Sequence, residues 1–308
     1  MTERVLYSDG GVRVAPQKKK AKKTDALAFK IVTYVYLALF LLAVLVPFYV
    51  VVATSLTSYE EIMSKLEFIW WPKKVSFEAY KTVLIEDRLA LYGMSSLLRG
   101  FLNTMWQVIP TMLGGLFVSG LAAYAYSKLR FRVKNVLYVI TLATMMIPGA
   151  ALTMPTYLYY DALGWSHSVL PMMIPGLFGS AATIFFMRQF FAGIPTDLIE
   201  AGKLDGMGYL TMYVKIMIPL AVPAFLAQGI FAFVGGYNNY MGPMLYLLDN
   251  QMLWPLQLAL GQLQAQYGAG DQAVQCASAI VAMVPLLIVY LVCQRFFIEG
   301  VAVAGLKG

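Results

Sequence analysis

The chain has 308 residues, of which 60% are hydrophobic and 13% charged, with a mean hydropathy of +0.68. Soluble globular domains carry about a quarter charged residues, so this composition excludes a water-soluble domain and indicates an all-α integral membrane protein. The formal net charge of +7 would suit nucleic acid, but most of the excess sits in two short blocks beside apolar runs, at 18–23 and 128–134; that placement reads as membrane topology, with lipid and no nucleic acid as the neighbour.

In chain order, residues 1–28 are basic and polar and read as a flexible cytoplasmic tail. The apolar run at 31–53 is longer than the core of a signal peptide, and no small-x-small cleavage site follows it, so it reads as a retained span. A helix needs about 20 residues to cross a hydrocarbon core. Six stretches qualify: 31–53, 101–126, 136–159, 169–191, 213–235 and 273–296. Residues 29–308 therefore read as one six-span domain. Pro47, Pro110, Pro148, Pro175, Pro223 and Pro285 fall in or close to these spans, where neighbouring helices can satisfy the backbone groups that proline frees; kinks there are candidate gate points, and packing alone explains them equally.

With a cytoplasmic N-terminus, the outer segment after the first span holds Lys65, Lys73, Lys74, Lys81, Arg88 and Arg99, six of the 23 basic residues, beside six acids. The inner segments and their flanks hold the other seventeen. The outer segment at 236–272 has Asp249 and Asp271 but no Lys or Arg. The positive-inside rule then places both termini in the cytoplasm. Both long outer segments, 54–100 and 236–272, are too polar and irregular for lipid, and Trp70-Trp71-Pro72 reads as an interfacial anchor.

No G-x-x-x-x-G-K-[ST] sequence occurs, so the chain has no phosphate cradle of its own, and the span centres lack the charged residues that mark proton and ion relays. Energy for transport would come from another subunit. His167 lies in a short outer turn, Cys276 and Cys293 are seventeen residues apart in one helix, roughly 25 Å along its axis, and no nucleophile–base pair or metal-ligand set stands out. Neither catalysis nor a bound metal is expected in this chain. The polar groups that do enter the spans are uncharged amides among aromatics. Amides and aromatic faces together suit saccharides, so Gln228, Phe231, Phe233, Tyr237, Asn238 and Tyr240 are candidates for lining a sugar path; interhelical hydrogen bonding and packing is the alternative.

Between the fourth and fifth spans runs a polar segment, 192–219, too long for a simple helix connection. It contains Glu200-Ala201-Gly202-Lys203-Leu204-Asp205-Gly206 and closes on Ile216-Met217-Ile218-Pro219. Asp197 with Glu200 three residues on has capping-box spacing, Asp205 is placed to cap a second helical stretch, and small residues at 201, 202, 206 and 208 allow close backbone approach to a partner. The segment resembles the EAA loop of binding-protein-dependent ABC importer permeases. The similarity runs from about residue 99 to 308 through Tyr124-Ala125-Tyr126-Ser127-Lys128-Leu129-Arg130-Phe131, Met145-Met146-Ile147-Pro148, Met187-Arg188-Gln189-Phe190-Phe191, Tyr237-Asn238-Asn239-Tyr240-Met241-Gly242-Pro243 and Gln294-Arg295-Phe296-Phe297. In order and spacing these are similar to the carbohydrate-type permeases, particularly the maltose-type subunit; Gly202, Met207 and Ile218 depart from the usual Ala, Ala and Leu.

The resemblance implies a type I ABC importer permease fold in a bacterial cytoplasmic membrane. It also implies a non-catalytic subunit that forms a path for a saccharide, an oligosaccharide in particular, and couples it to ATP hydrolysis. Glu200, Ala201, Gly202, Asp205 and Gly206 would dock on an ATPase. The implied partners are a second homologous permease, an ATPase dimer that binds ATP and Mg, and an extracytoplasmic solute-binding protein. Gln262, Gln264, Gln266 and Tyr267 would form an outer loop that contacts the binding protein. A polyol or glycerol-phosphate permease is the alternative within the class, and a secondary carrier the alternative outside it. The charge count makes a topological prediction: in a background lacking Cys276 and Cys293, Thr196→Cys should react with a membrane-impermeant thiol reagent only from the cytoplasmic side and Ser58→Cys only from outside. Labelling of both from one side would require a different number of spans.

Overall fold

The computed structural model describes residues 23–64, 69–268 and 271–305, and the described residues are helical with no strand. The chain divides into two units, 1–51 and 52–308. Most of the expected tail lies outside the described residues, but helix α1 (Lys23–Ser55) already begins within its last six positions. The first unit holds the body of α1, whose stretch Phe29–Ser55 has a mean hydropathy of 2.7.

The second unit is built on α4 (Ser96–Lys128). In order around it come α2 (Tyr59–Ser64), α3 (Glu78–Leu84), α5 (Lys134–Thr144), α6 (Gly149–Ala162), α7 (Leu170–Leu177), α8 (Ala181–Ala192), α9 (Asp197–Leu204) and α10 (Tyr209–Met212). A π-helical turn (Tyr213–Met217) leads into α11 (Ile218–Leu220), α12 (Val222–Tyr237), α13 (Met241–Leu247), α14 (Leu256–Tyr267) and α15 (Gln272–Gly305). Four stretches are long and apolar enough to cross a membrane unbroken: Phe29–Ser55, Ser96–Lys128, Leu170–Ala192 and Gln272–Gln294. Two more are bent pairs, α5 with α6 at 95° and Tyr209–Leu220 with α12 at 84°. Counting each pair as one span gives the six read from the sequence.

The prolines divide accordingly. Pro148 sits at the first bend with extended backbone (φ −66°, ψ 125°), and Ala221, between Pro219 and Pro223, leaves helical geometry at the second. Proline biases its predecessor away from the helical region. Pro47, Pro110 and Pro285 lie inside continuous helices instead.

Each end of α4 carries its own apolar cluster. At its start Leu97 packs with Leu256, Leu258, Ala259 and Leu263 of α14, Val83 of α3, and Ala273 and Ala277 of α15. At its end Ala123 and Tyr124 pack with Met187 and Phe191 of α8 and with Met212, Tyr213 and Met217. Glycine permits the close crossings: a Cβ on Gly100 would lie 2.9 Å from Leu256 Cα, and one on Gly115 2.5 Å from the Gly176 carbonyl oxygen.

The outer segment at 236–272, expected to be irregular, is mostly helical, and its link to α4 is polar. Asn103 Nδ2 donates to the carbonyls of Met252 (2.8 Å) and Trp254 (2.9 Å), Gln107 Nε2 donates to that of Leu253 (3.1 Å), and the Leu256 amide donates to Thr104 Oγ1 (2.9 Å). These side chains satisfy the backbone of the turn that seats α14, so Asn103 and Gln107 act in helix packing. Asn103→Ala strands buried carbonyls, each at a cost of about 1–3 kcal/mol. We expect the melting temperature of the purified protein in detergent to fall. A melting curve that superposes on wild type would show that these bonds are replaced by solvent.

Candidate functional site

Helix α9 begins at Asp197, and Thr196, at the N-cap, makes no side-chain capping bond. The expected capping box is therefore absent; Asp197 and Glu200 lie in the first turn, where carboxylates favour the positive end of the helix dipole. Asp205 ends α9 and caps no following helix, since Gly208 occupies the N-cap of α10. Gly206 has φ +75°, its amide donates to the Lys203 carbonyl (3.0 Å), and the Met207 amide donates to that of Gly202 (2.9 Å). This is a Schellman cap, which needs a left-handed residue directly after the C-cap. Gly206 thus closes the helix, and no atom outside its immediate chain neighbours lies within 4 Å of a Cβ placed there.

The helix has two faces. Ile199, 1% exposed, inserts into the cluster at the end of α4, with Met207 packed against that cluster. Gly202 is also buried, and a Cβ there would meet Ile216 Cδ1 at 3.1 Å and Met212 Sδ at 3.2 Å. Gly202 is consequently an inner packing position. Glu200, Ala201, Lys203, Leu204 and Asp205 face outward, with Leu204 90% exposed. The Lys128 ammonium also ties the approach to α9, donating to the carbonyl of Ile194. Sequence reasoning missed Ile199 and Leu204; the clue was apolar side chains five positions apart in a polar stretch, opposed by about 140° on a helix at 3.6 residues per turn.

Immediately beyond lies the π-helical turn. The Tyr213 hydroxyl donates to the Phe117 carbonyl (2.8 Å), and its ring stacks on Tyr124 with centroids 5.8 Å apart. A Cβ on Gly120 would lie 2.4 Å from the Tyr213 hydroxyl oxygen. This contact holds α9 and the start of the fifth span to α4.

The six candidate path residues separate. Tyr237 is fully buried, and its hydroxyl donates to the Ala282 carbonyl (2.7 Å), which corrects its assignment to a path-facing surface. Phe233, four residues earlier, packs against the same cluster and tilts on Tyr237 with centroids 5.7 Å apart. Phe231 and Asn238 are exposed and Gln228 is half-buried; Asn238 Oδ1 accepts from Gln257 Nε2 (3.2 Å). Tyr240 lies over Gly261 of α14, where a Cβ would meet its ring at 2.7 Å. A cleft of about 240 Å³ opens nearby between α4, α7, α8 and α12. Gln107, Thr111, Ser119, Thr183 and Asn239 contribute polar groups to it, and none of the six lines it.

The outer loop candidates lie on α14. Gln262 and Gln264 are half-buried, and Gln264 Nε2 donates to the Gln275 carbonyl (3.3 Å) and Ser278 Oγ (3.4 Å). The Tyr267 ring is covered by the Arg88 guanidinium at 5.0 Å; burial raises the phenol pKa and Arg88 partly offsets it. Gln266 alone of the four is exposed. These residues therefore form a packed helix where a projecting loop was expected. Among the described residues no group of three or more His, Cys, Asp or Glu side chains could hold a metal, and His167 Nδ1 lies 3.5 Å from Asp249 Oδ2 at the exposed outer surface.

Residues 115–303 match the family described as binding-protein-dependent transport system inner membrane component. The chain is 29% identical over 297 residues to the polygalacturonan/rhamnogalacturonan transport system permease protein of Bacillus subtilis, covering 91% of this chain and 98% of that one. It is 29% identical over 237 residues to the arabinooligosaccharides transport system permease protein of the same organism, covering 77% and 81% respectively. It superposes with a TM-score of 0.77 and 26% identity on one chain of the crystal structure of a bacterial ABC transporter involved in the import of the acidic polysaccharide alginate, covering 90% of this chain and 99% of that one.

The geometry of α9 separates two glycines that look alike in sequence. Gly206→Ala forces an L residue into left-handed backbone, at about 1–2 kcal/mol. Gly202→Leu overfills the contact with Met212 and Ile216, at about 1–3 kcal/mol. Both should increase limited proteolysis between 193 and 208, whereas Gly206→Asn, which tolerates that conformation better, should recover most of the protection. Equal cleavage of Gly206→Ala and Gly206→Asn would show that backbone conformation is not the reason for glycine there.

Proposed function

This chain belongs to the family of binding-protein-dependent transport system inner membrane components, and from that premise we propose that it is one of two homologous membrane subunits enclosing the path of a saccharide importer. The proposed substrate is an oligosaccharide, and ATP hydrolysis by a separate ATPase dimer drives its import. The observation that carries the coupling is the two-faced α9. Its inner face, Ile199 and Gly202, is packed into α4, α8 and the head of the fifth span, and its outer face presents Glu200, Ala201, Lys203 and Leu204. A short helix fixed on one side and bare on the other transmits a push as rigid-body motion of the spans it is packed against.

The ATPase dimer, which holds ATP and Mg, docks on that outer face, with Asp205-Gly206 closing the helix. An extracytoplasmic solute-binding protein delivers the sugar to the opposite side, near the exposed Gln266. The membrane is the bacterial cytoplasmic membrane, both termini lie in the cytoplasm, and this subunit performs no catalysis. The chain lacks a phosphate-binding loop, consistent with ATP being held elsewhere. The oligosaccharide reading draws on relatives named for polygalacturonan, arabinooligosaccharide and alginate transport. Of the path candidates, Phe231, Asn238 and Gln228 retain accessible surface and belong to this reading.

The test is Leu204→Asp, which places an unmatched charge on the docking face without touching the inner one. Loss of about 1.4 kcal/mol of association is tenfold in affinity, so copurification of the ATPase and sugar uptake should both fall by roughly that factor. Unchanged copurification and uptake would remove α9 from the docking surface. In the intact complex, labelled oligosaccharide should enter and glycerol phosphate should not; the reverse result would assign the path to the phosphate.

A further inference from the structure

We propose that the short loop between α4 and α5 is a binding site for the phosphodiester headgroup of an anionic phospholipid. Helix α4 ends at Lys128 and α5 begins at Lys134, so both helix ends converge on one place, and Arg130 and Arg132 lie between them. The described ion pairs, Lys81 with Glu86 and His167 with Asp249, involve none of these cations. The Lys134 ammonium donates to the Ser127 (3.2 Å) and Leu129 (3.1 Å) carbonyls, which folds it back over the end of α4. Arg130 and Arg132 remain exposed and, with Lys134 and Asn135, line an open cleft of about 470 Å³.

Behind Lys134, the Arg188 guanidinium lies 4.2 Å from the Tyr138 ring, and Arg188 Nε, the Tyr138 hydroxyl and Ser127 Oγ are buried without a hydrogen-bond partner. An uncompensated cluster of this kind calls for a multivalent oxygen acceptor. The fork of an arginine side chain matches phosphate oxygens.

The surroundings select lipid over free phosphate. Two apolar spans end at this cleft, and Phe131, Val133 and Val136 around it are exposed at 38%, 52% and 62%, a rim that suits acyl chains and would repel a hydrated ion. A headgroup here would also brace Lys128, whose ammonium holds the Ile194 carbonyl ahead of α9.

To test this, the protein, purified in the complex in which it is expressed, is exchanged into nanodiscs of mixed phosphatidylcholine and phosphatidylglycerol, and the retained lipid is identified by mass spectrometry after mild delipidation. Wild type should retain phosphatidylglycerol in preference. Arg130→Gln with Arg132→Gln should reduce that preference about thirty-fold and Arg132→Gln alone about fivefold, following ~1 kcal/mol for each cation near a membrane surface. Lys73→Gln with Lys74→Gln, which removes two exposed charges from the other segment, should leave it unchanged. An unchanged preference in both arginine variants, an equal loss in the lysine control, or displacement of the lipid by excess inorganic phosphate would each overturn the proposal.

Discussion

In a hydrocarbon environment an unpaired backbone amide or carbonyl costs several kcal/mol, and this constraint governs where the chain breaks its spans. Each interruption is accompanied by a local solution. At 178–180 the Ser180 amide is taken by Ser119 Oγ of α4 (3.1 Å) and the Gly179 amide returns to the Gly176 carbonyl. At the second bend the Ala221 amide reaches back to Met217 and Ile218. At the first, the amides of Met145, Met146 and Ile147 turn back to Leu142, Ala143 and Thr144. The turn before α14 relies on Asn103, Thr104 and Gln107. Helix α4 is central because it supplies most of these side-chain partners while staying continuous through Pro110.

Read along its length, α4 separates two tasks. Its first half anchors the outer helices, and its last turns hold α9 through Ala123, Tyr124 and Lys128. Motion applied to α9 would reach the outer end through one unbroken helix, with no loop in between to absorb it. The fifth span differs, since its bend at Ala221 separates the part bonded to α9 from α12, whose Phe233 and Tyr237 are packed on the outer cluster.

Much of this was legible in the sequence. Apolar length marked the spans, and a charged stretch between two of them marked α9 and its surroundings. What was not legible has physical reasons. A proline reports that a backbone bond is missing but not whether a neighbour replaces it, so Pro110 and Pro148 read alike although one lies in a straight helix and the other at a 95° bend. Gly202 and Gly206 are chemically identical, yet one is chosen for the space beside Ile216 and Met212 and the other for its positive φ. Tyr237 offered an aromatic face and a hydroxyl, as a sugar-facing residue would, and spends both inside the protein. For α14, glutamines hid a pattern that was present: Leu256, Ala259 and Leu263 share one helical face.

The π-helical turn at Tyr213–Met217 has a further meaning. Such a turn holds one residue more than the α-helical course through the same space, and in the history of a gene it corresponds to an inserted codon that selection kept. Removing one residue would restore a regular helix but rotate everything downstream by about 100°, the angle per residue at 3.6 residues per turn. Because α12 departs at 84° from the axis of that segment, the rotation would swing the whole departing helix sideways. The compass bearing of the fifth span is thus written in the count of residues between Tyr213 and Ala221, and a frame-preserving deletion of one amino acid there would redirect it even if every side chain around it were left in place.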